Sequence, residues 1–174
     1  YVEGISDGVF GVEELGHVRA ESSRLRRLSE DLSTLSRASE GRLELTPTET
    51  DLNELVGGAV ERLRPRFAGT GVELRLDPPS GAVTVVADPD RVAQVVENLV
   101  VNALAATDQG VVTVSARATP GGAEITVADT GLGLEPESAD RVFERFHRGP
   151  GGHAGGSGLG LTIGRQLARA PGGD

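Results

Sequence analysis

Three carboxamide side chains recur at helical spacing in the segment QVVENLVVNALAAT. Gln94, Asn98 and Asn102 stand at i, i+4 and i+8, which puts them in one stripe along a helix. The opposite, apolar face is formed by Val92, Val96, Leu99 and Ala103. Asparagine is a mediocre helix former, so two of them in an aliphatic helix need a reason. The stripe is either a solvated face or a carboxamide pair that reaches a hydrated magnesium ion and its phosphates.

A carboxylate followed by two glycines stands in the segment VADTGLGLEP. A predicted strand ends at Asp129, and Gly131 and Gly133 then free the backbone to turn closely around another group. The carboxylate could simply cap this turn. It could equally accept a hydrogen bond from an exocyclic amine such as that of adenine, and the residues alone leave both interpretations open.

A second glycine-rich segment, GGSGLGLTI, leads directly into an apolar helix pattern. Glycines at a helix start leave the backbone amides unobstructed, and these unpaired donors together with the helix dipole form an anion site. A flexible linker has a similar composition. A linker would not continue into an apolar pattern that buries a helix, which here is formed by Leu159, Leu161, Ile163 and Leu167.

The elements that must position these residues alternate between strands and helices after Gly41, a pattern typical of layered folds. Asp51 with Glu54 predicts the start of a helix to about Arg64, and Asp88 predicts the cap of the carboxamide helix. We expect strands at 43–45, 72–76, 83–87, 111–117 and 123–129, and helices to about 106 and from about 159 to 168. The long glycine-rich stretch 131–156 favours a functional lid.

The N-terminal part carries a heptad pattern. Its apolar positions are Val18, Leu25, Leu28, Leu32 and Leu35. Such a seam predicts a helical hairpin or dimeric bundle, with the end of a first helix at about 1–7 and a turn region at 8–16. The alternative is an amphipathic helix that lies on its own domain.

Composition excludes several classes of protein. The 174 residues contain no cysteine, so disulfides and thiolate metal sites are impossible. The formal net charge of -9 argues against broad binding to nucleic acid or anionic membranes, although a local arginine site stays possible. No apolar run reaches the roughly 20 residues of a membrane span. Because the chain begins at Tyr1 without methionine, we expect it to be a piece of a longer protein.

Four motifs in this order resemble the nucleotide-binding domain of sensor histidine kinases, within the superfamily shared by gyrase, mismatch-repair and heat-shock chaperone ATPases. NLVVNA resembles the N box, DTGLGL the first glycine box, RVFERFHR the F box, and GGSGLGLTI the second glycine box. The resemblance implies an α+β fold, the Bergerat-type α/β sandwich with a mixed sheet packed on helices. It also implies ATP and Mg2+ as cofactors and phosphoryl transfer to a histidine.

The same resemblance implies roles for individual residues. Asn102 would be the magnesium ligand with Asn98 beside it, and Asp129 would receive the adenine amine. Together with Asn98 and Asn102, Arg148 is expected to serve catalysis. The remaining expected nucleotide contacts are Gly131, Gly133, Gly156, Gly158, Leu159, Gly160 and Thr162. Phe143 and Phe146 would anchor the lid.

The chain departs from the family at several positions. Ala105 and Ala106 replace a basic and an aromatic residue, so Arg145 and Arg148 become candidates for the missing charge, with exposed lid arginines as the alternative. No acceptor motif surrounds His17, His147 or His153, and we expect this segment alone not to autophosphorylate. Water-activating ATPases of the superfamily have glutamate at the position that Asn98 occupies here. Glu97 is the next residue but stands about 100° around the helix from it, so efficient water activation is not expected.

The predicted organisation is therefore 1–40 as part of a dimerisation hairpin and 41–174 as the ATP-binding catalytic domain, with a lid at about 131–157 and without its last strands. Expected partners are a histidine-bearing dimerisation domain, a response regulator receiver domain and a second copy of the full protein. We expect a cytoplasmic location, with membrane contact only through absent segments. The alternatives are a split-kinase subunit acting on a separate histidine-bearing chain and a degenerate nucleotide-binding interaction module.

Overall fold

The computed structural model describes residues 44–133, 141–144 and 159–168, together with a set of residues between 18 and 37. That set comprises 18, 21, 22, 25, 26, 29, 32–34, 36 and 37, and all of its members are helical, as the heptad pattern predicts. Leu25 and Leu32 are exposed to 60% and 50%, so these two seam positions do not lie against the rest of the described chain. The expected first helix and turn at 1–16 lie outside the described residues.

The regular elements are β1, Thr48–Asp51; α1, Leu52–Phe67; β2, Val72–Leu76; β3, Thr84–Ala87; α2, Pro89–Ala106; β4, Gly110–Thr119; β5, Gly122–Asp129; and α3, Gly160–Ala168. A short 3-10 helix, Arg141–Phe143, stands between β5 and α3. Both long helices begin at a predicted aspartate cap. The Asp51 carboxylate accepts from the amides of Asn53 and Glu54, and Asp88 does the same for Asp90 and Arg91.

The strands form two sheets. The larger is mixed and has the order β2-β4-β5, with β2 parallel to β4 and β5 antiparallel to it. In this sheet Val72 is paired with Gly110, and Val112 with Asp129. The smaller sheet pairs β1 with β3 in antiparallel fashion.

The main core lies between the larger sheet and the helices α1 and α2. Its largest fully buried side chains are Val56 and Val60 from α1, Val96 and Val100 from α2, and Val112 and Val114 from β4. Aliphatic residues therefore fill a core that has almost no aromatic rings. A second, smaller cluster joins Leu159, Ile163 and Leu167 of α3 to Val95 of α2, so α2 is held from two sides.

Three predictions about elements need correction. Glu44 and Leu45 are not in a strand, and the first strand begins at Thr48, where β3 provides a partner. Helix α1 continues past Arg64 to Phe67 and contains Pro65, because Phe67 still packs into the core. The apolar face of α2 is rotated: Val100 is fully buried, whereas Leu99 is partly exposed. Among the described helices, none combines the length and hydropathy that crossing a membrane requires.

Candidate functional site

The N-terminal end of α2 is fixed by a buried carboxylate. Asp88 uses Oδ1 to accept from the Asp90 and Arg91 amides, each at 3.1 Å. Its Oδ2 accepts from the Thr46 amide at 2.9 Å and from the Thr46 hydroxyl at 3.2 Å. Burial by itself raises the pKa of Asp88, but these donors and the nearby Arg91 charge together hold that pKa below its ordinary value. The segment before β1 is thereby tied to the start of the carboxamide helix.

Helix α3 begins against the carboxamide of Asn98. The position that a Cβ of Gly160 would occupy lies 3.7 Å from Cγ and Oδ1 of Asn98. One turn further along α3, Gly164 lies in the same way 4.0 Å from Cγ1 of Val95. Within the described residues, Nδ2 of Asn98 is a buried donor without a hydrogen-bond partner. A buried unpaired amide is unfavourable, which is consistent with a ligand site at this position.

The turn after β5 packs on the other end of α2. A Cβ on Gly131 would overlap the carbonyl oxygen of Ala106, so only glycine allows this approach. The Leu132 amide donates to the same carbonyl at 3.3 Å. Gly133 has a φ of +70°, in the left-handed region that favours glycine. The first glycine box is therefore held to the end of α2 by its backbone.

Between these two contacts α2 presents an exposed Asn102. Asn98, Asn102 and Ala106 lie at i, i+4 and i+8, so the two contacts are about 12 Å apart along the helix. Helix α3 occupies the first position, the turn after β5 occupies the last, and the side chain of Asn102 is exposed between them. The surface of α2 that these two contacts flank, with Asn102 exposed on it, is the candidate binding site, which we call the α2 cleft.

Asp129 stands at the C-terminal edge of the α2 cleft. Its Oδ1 accepts from the Gly131 amide at 2.9 Å, so the carboxylate does cap its own turn, which was one of the two interpretations. Within the described part of the chain, no hydrogen bond reaches Oδ2. The side chain is exposed and keeps an acceptor available for a ligand. The two interpretations of Asp129 are therefore compatible.

Glu97 faces away from the α2 cleft, as its position on the helix predicts. Its Oε1 accepts from Nε and Nη2 of Arg62 on α1, at 3.2 and 3.0 Å. Gln94, the first member of the predicted stripe, is also engaged, because its Oε1 accepts from Arg91 at 3.2 Å. The members of the polar stripe therefore differ: Gln94 is bonded to Arg91 on the surface of α2, and only Asn98 and Asn102 border the cleft.

The start of α3 is attached to the 3-10 helix. The Thr162 hydroxyl donates to the Phe143 carbonyl at 2.9 Å, and the Arg165 guanidinium lies 5.1 Å from the centre of the Phe143 ring. Phe143 thus contacts the domain as expected. The Leu159 side chain is fully buried, so a nucleotide contact by this residue would have to use its backbone.

Several expected site residues lie outside the described residues. They are Arg145, Phe146, Arg148, Gly156 and Gly158, and the histidines at 17, 147 and 153. Their roles stay predictions. The residues that sequence reasoning missed are Ala106, whose carbonyl receives the glycine turn, and Thr130, which fixes that turn to β4. Neither carries a distinctive side-chain signal, and the proximity of Ala106 to a glycine box follows only from the fold.

Comparison with known proteins identifies the family. Residues 87–174 match the family described as histidine kinase-, DNA gyrase B-, and HSP90-like ATPase. The chain belongs to this ATPase family. Its relative BaeS is the signal transduction histidine-protein kinase of Escherichia coli strain K12. The two are 36% identical over an alignment of 175 residues in length, gaps included, which covers 97% of this chain and 37% of BaeS. The chain thus spans little more than a third of the length of that relative.

Solved structures of histidine kinases confirm the α+β Bergerat fold of this ATPase family member. The histidine kinase AdeS of Acinetobacter baumannii is 26% identical with a TM-score of 0.77, and the match covers 97% of this chain and 80% of that one. Full-length ShkA in complex with AMPPNP is 32% identical with a TM-score of 0.78, over 94% of this chain and 35% of ShkA.

Proposed function

We propose that this chain is the ATP-binding catalytic portion of a sensor histidine kinase and that ATP binds in the α2 cleft. The observation that carries the proposal is the cleft itself, in which Asn102 lies exposed between the glycine turn at Ala106 and the start of α3 at Asn98. The unpaired Nδ2 of Asn98 supports an oxygen-rich ligand at this position. Family membership and the AMPPNP complex of ShkA support ATP as that ligand.

Asp129 is proposed to select the base. An ionised carboxylate only accepts hydrogen bonds, and the adenine amine is a donor of matching chemistry. Because Oδ1 already holds the turn, the proposed acceptor is Oδ2. Gly131 and Gly133 would border the base, since the packing of Gly131 on the Ala106 carbonyl holds the turn at the edge of the cleft and the Cβ position of Gly133 is open.

Asn102 is proposed to hold magnesium. Mg2+ in phosphoryl-transfer sites keeps water and phosphate ligands and takes one or two protein oxygens, which a single carboxamide suits. Among the described residues, no group of three or more acidic or histidine side chains forms an alternative metal site. The chemistry that bound magnesium supplies is charge neutralisation on the phosphates.

Catalysis by this domain would consist mainly of positioning and charge stabilisation. Asn98 and the amides at the start of α3 would hold the phosphates, together with Gly160 and the predicted contacts at Gly156 and Gly158. Arg148 is proposed to add the positive charge that Ala105 does not provide. Glu97 is paired with Arg62, which favours transfer to a histidine over hydrolysis.

The proposed acceptor is a histidine outside this segment, on a dimerisation domain of the same or a partner protomer. The histidine kinase relatives support this. A response regulator receiver domain as the next acceptor is a further part of the proposal. A homodimer, part of a dimerisation hairpin at 1–40 and a cytoplasmic location of the ATP-binding portion belong to the same proposal. The split-kinase subunit differs only in carrying the acceptor on a separate chain.

A phosphotransfer assay tests the proposal. The chain is mixed with ATP, magnesium and a helical hairpin that bears an acceptor histidine, and the phosphohistidine formed is measured. We expect Asn102→Ala to lower transfer by about 100-fold or more, because it removes stabilisation of the transferring phosphoryl group. We expect Asp129→Asn to weaken ATP binding by about tenfold or more, because it removes a charge-assisted hydrogen bond.

Matched controls are available in the same domain. Asn53 lies on α1, where its Nδ2 donates to the Gly81 carbonyl, and Asn53→Ala should leave transfer unchanged. Asp108 is an exposed aspartate beside β4, and Asp108→Asn should leave ATP binding unchanged. If the folded wild type does not bind ATP below about millimolar concentration, the interaction module is the better interpretation.

A further inference from the structure

Thr130 links the site aspartate to the central strand of the larger sheet. It stands between Asp129 and Gly131, immediately after β5. Its amide donates to the Val111 carbonyl at 3.2 Å, and its hydroxyl accepts from the Val111 amide at 3.0 Å. Thr130 therefore binds both the donor and the acceptor of one residue in β4.

The hydroxyl takes the place of a main-chain carbonyl in this pairing. Val112 and Asp129 form the last strand pair, and an ordinary ladder would continue with the carbonyl of residue 130 accepting from Val111. Here the side chain accepts instead, so the backbone of Thr130 is free to leave the sheet at once. The chain can then pass to Gly131 and pack on the Ala106 carbonyl.

Gly110 is matched to this arrangement. A Cβ at this position would overlap Oγ1 of Thr130, and the φ of Gly110 is +134°, which L side chains rarely adopt. The Thr130 hydroxyl thus occupies the space that is left by the missing side chain of Gly110, the first residue of β4. This complementarity gives the Thr130 side chain a defined place although the residue is exposed.

We infer that Thr130 is a positioning residue for base selection, acting through Asp129. The inference rests on the proposed function, in which Asp129 accepts from the adenine amine. The hydrogen bonds between Thr130 and Val111 fix the backbone on one side of Asp129, while the Gly131 amide holds Oδ1 on the other. With both sides fixed, Oδ2 has fewer directions available, and a preorganised acceptor loses less entropy when it binds the adenine amine.

The test compares two nucleotides. Isothermal titration calorimetry measures binding of Mg-ATP and of the magnesium complex of purine riboside triphosphate, which lacks the exocyclic amine. For Thr130→Val and Thr130→Ala we expect ATP affinity to fall by about fivefold, the equivalent of one ordinary hydrogen bond, with the affinity of the analogue unchanged. Thr130→Ser keeps the hydroxyl and should retain the wild-type preference for ATP.

A matched control and two other outcomes complete the test. Thr126 is an exposed threonine of β5 whose hydroxyl donates to Glu124, and Thr126→Val should alter neither affinity. Equal weakening of both nucleotides by Thr130→Val, a serine variant that behaves like valine, or loss of folding in both the valine and alanine variants would overturn the inference. A wild type that binds both nucleotides equally, or neither, would instead overturn the proposed role of Asp129.

Discussion

The two ends of helix α2 are both polar but differ in how completely their groups are paired. At the N-terminal end, Asp88 is buried and its two oxygens accept four hydrogen bonds. At the C-terminal end, Asn102 is exposed, and Asp129 has a single hydrogen bond on Oδ1 within the described chain. The paired end stabilises the domain, whereas the open end leaves groups available for a ligand. We therefore expect changes at the paired end to affect stability alone, and changes at the open end to affect both stability and ATP binding.

The largest effect is expected at the open end, where the glycine turn packs closely on the end of α2. Gly131→Ala should lower the free energy of unfolding by about 3 kcal/mol and weaken ATP binding, because the new methyl group overlaps the Ala106 carbonyl. Gly133→Ala is the control, since no atom of the described residues lies within 4 Å of its Cβ position. It should cost about 1 kcal/mol for backbone strain alone. Urea unfolding of both variants checks this, and equal costs would contradict it.

A smaller effect is expected at the paired end. Asp88→Ala should lower the free energy of unfolding by about 2 kcal/mol, since it removes a helix cap and leaves the Thr46 donors unpaired. Asp51→Ala removes a cap of the same geometry on an exposed residue and should cost about 1 kcal/mol. Calorimetry should find ATP affinity unchanged in the folded Asp88→Ala protein. A loss of ATP affinity in this variant would show that the N-terminal end of α2 also contributes to binding.

The paired end should also respond to pH. The pKa of Asp88 is lowered in the folded state, so its charge contributes stability above the unfolded value of about 3.9, and this contribution is lost as the pH falls through the folded value. The difference in free energy of unfolding between wild type and Asp88→Asn should therefore be largest near pH 7 and shrink below about pH 4. Urea unfolding at pH 7 and pH 3 measures it, and a constant difference would refute the assignment.

The smallest effect is expected in the middle of α2. Glu97→Gln should change the free energy of unfolding by less than about 0.5 kcal/mol, because the Arg62–Glu97 pair is exposed and screened by solvent. Phosphotransfer and ATP hydrolysis should both keep their wild-type rates. A marked fall in the rate of hydrolysis would show that Glu97 activates water. The face of α2 toward α1 would then take part in the chemistry, as the cleft does.

Local patterns were sufficient to predict most elements and the carboxamide residues. Asp51 and Asp88 were predicted as caps because a cap involves only neighbouring amides. The strand at 43–45 was wrong because a strand exists only where a partner strand lies beside it, and β3 reaches Thr48. Val100 was missed because α1 and α3 pack on α2 from two sides, so the apolar residues of α2 do not form one face.

By itself the sequence determined the order of elements, the helix caps and the stripe that contains Asn98 and Asn102, because each depends on spacing along one segment. Only the tertiary structure decided which members of the stripe border a cleft. Gln94 pairs with Arg91, Asn98 meets Gly160, and Asn102 stays exposed because the glycine turn stops at Ala106. These distinctions depend on contacts between segments far apart in the chain, which no local pattern contains.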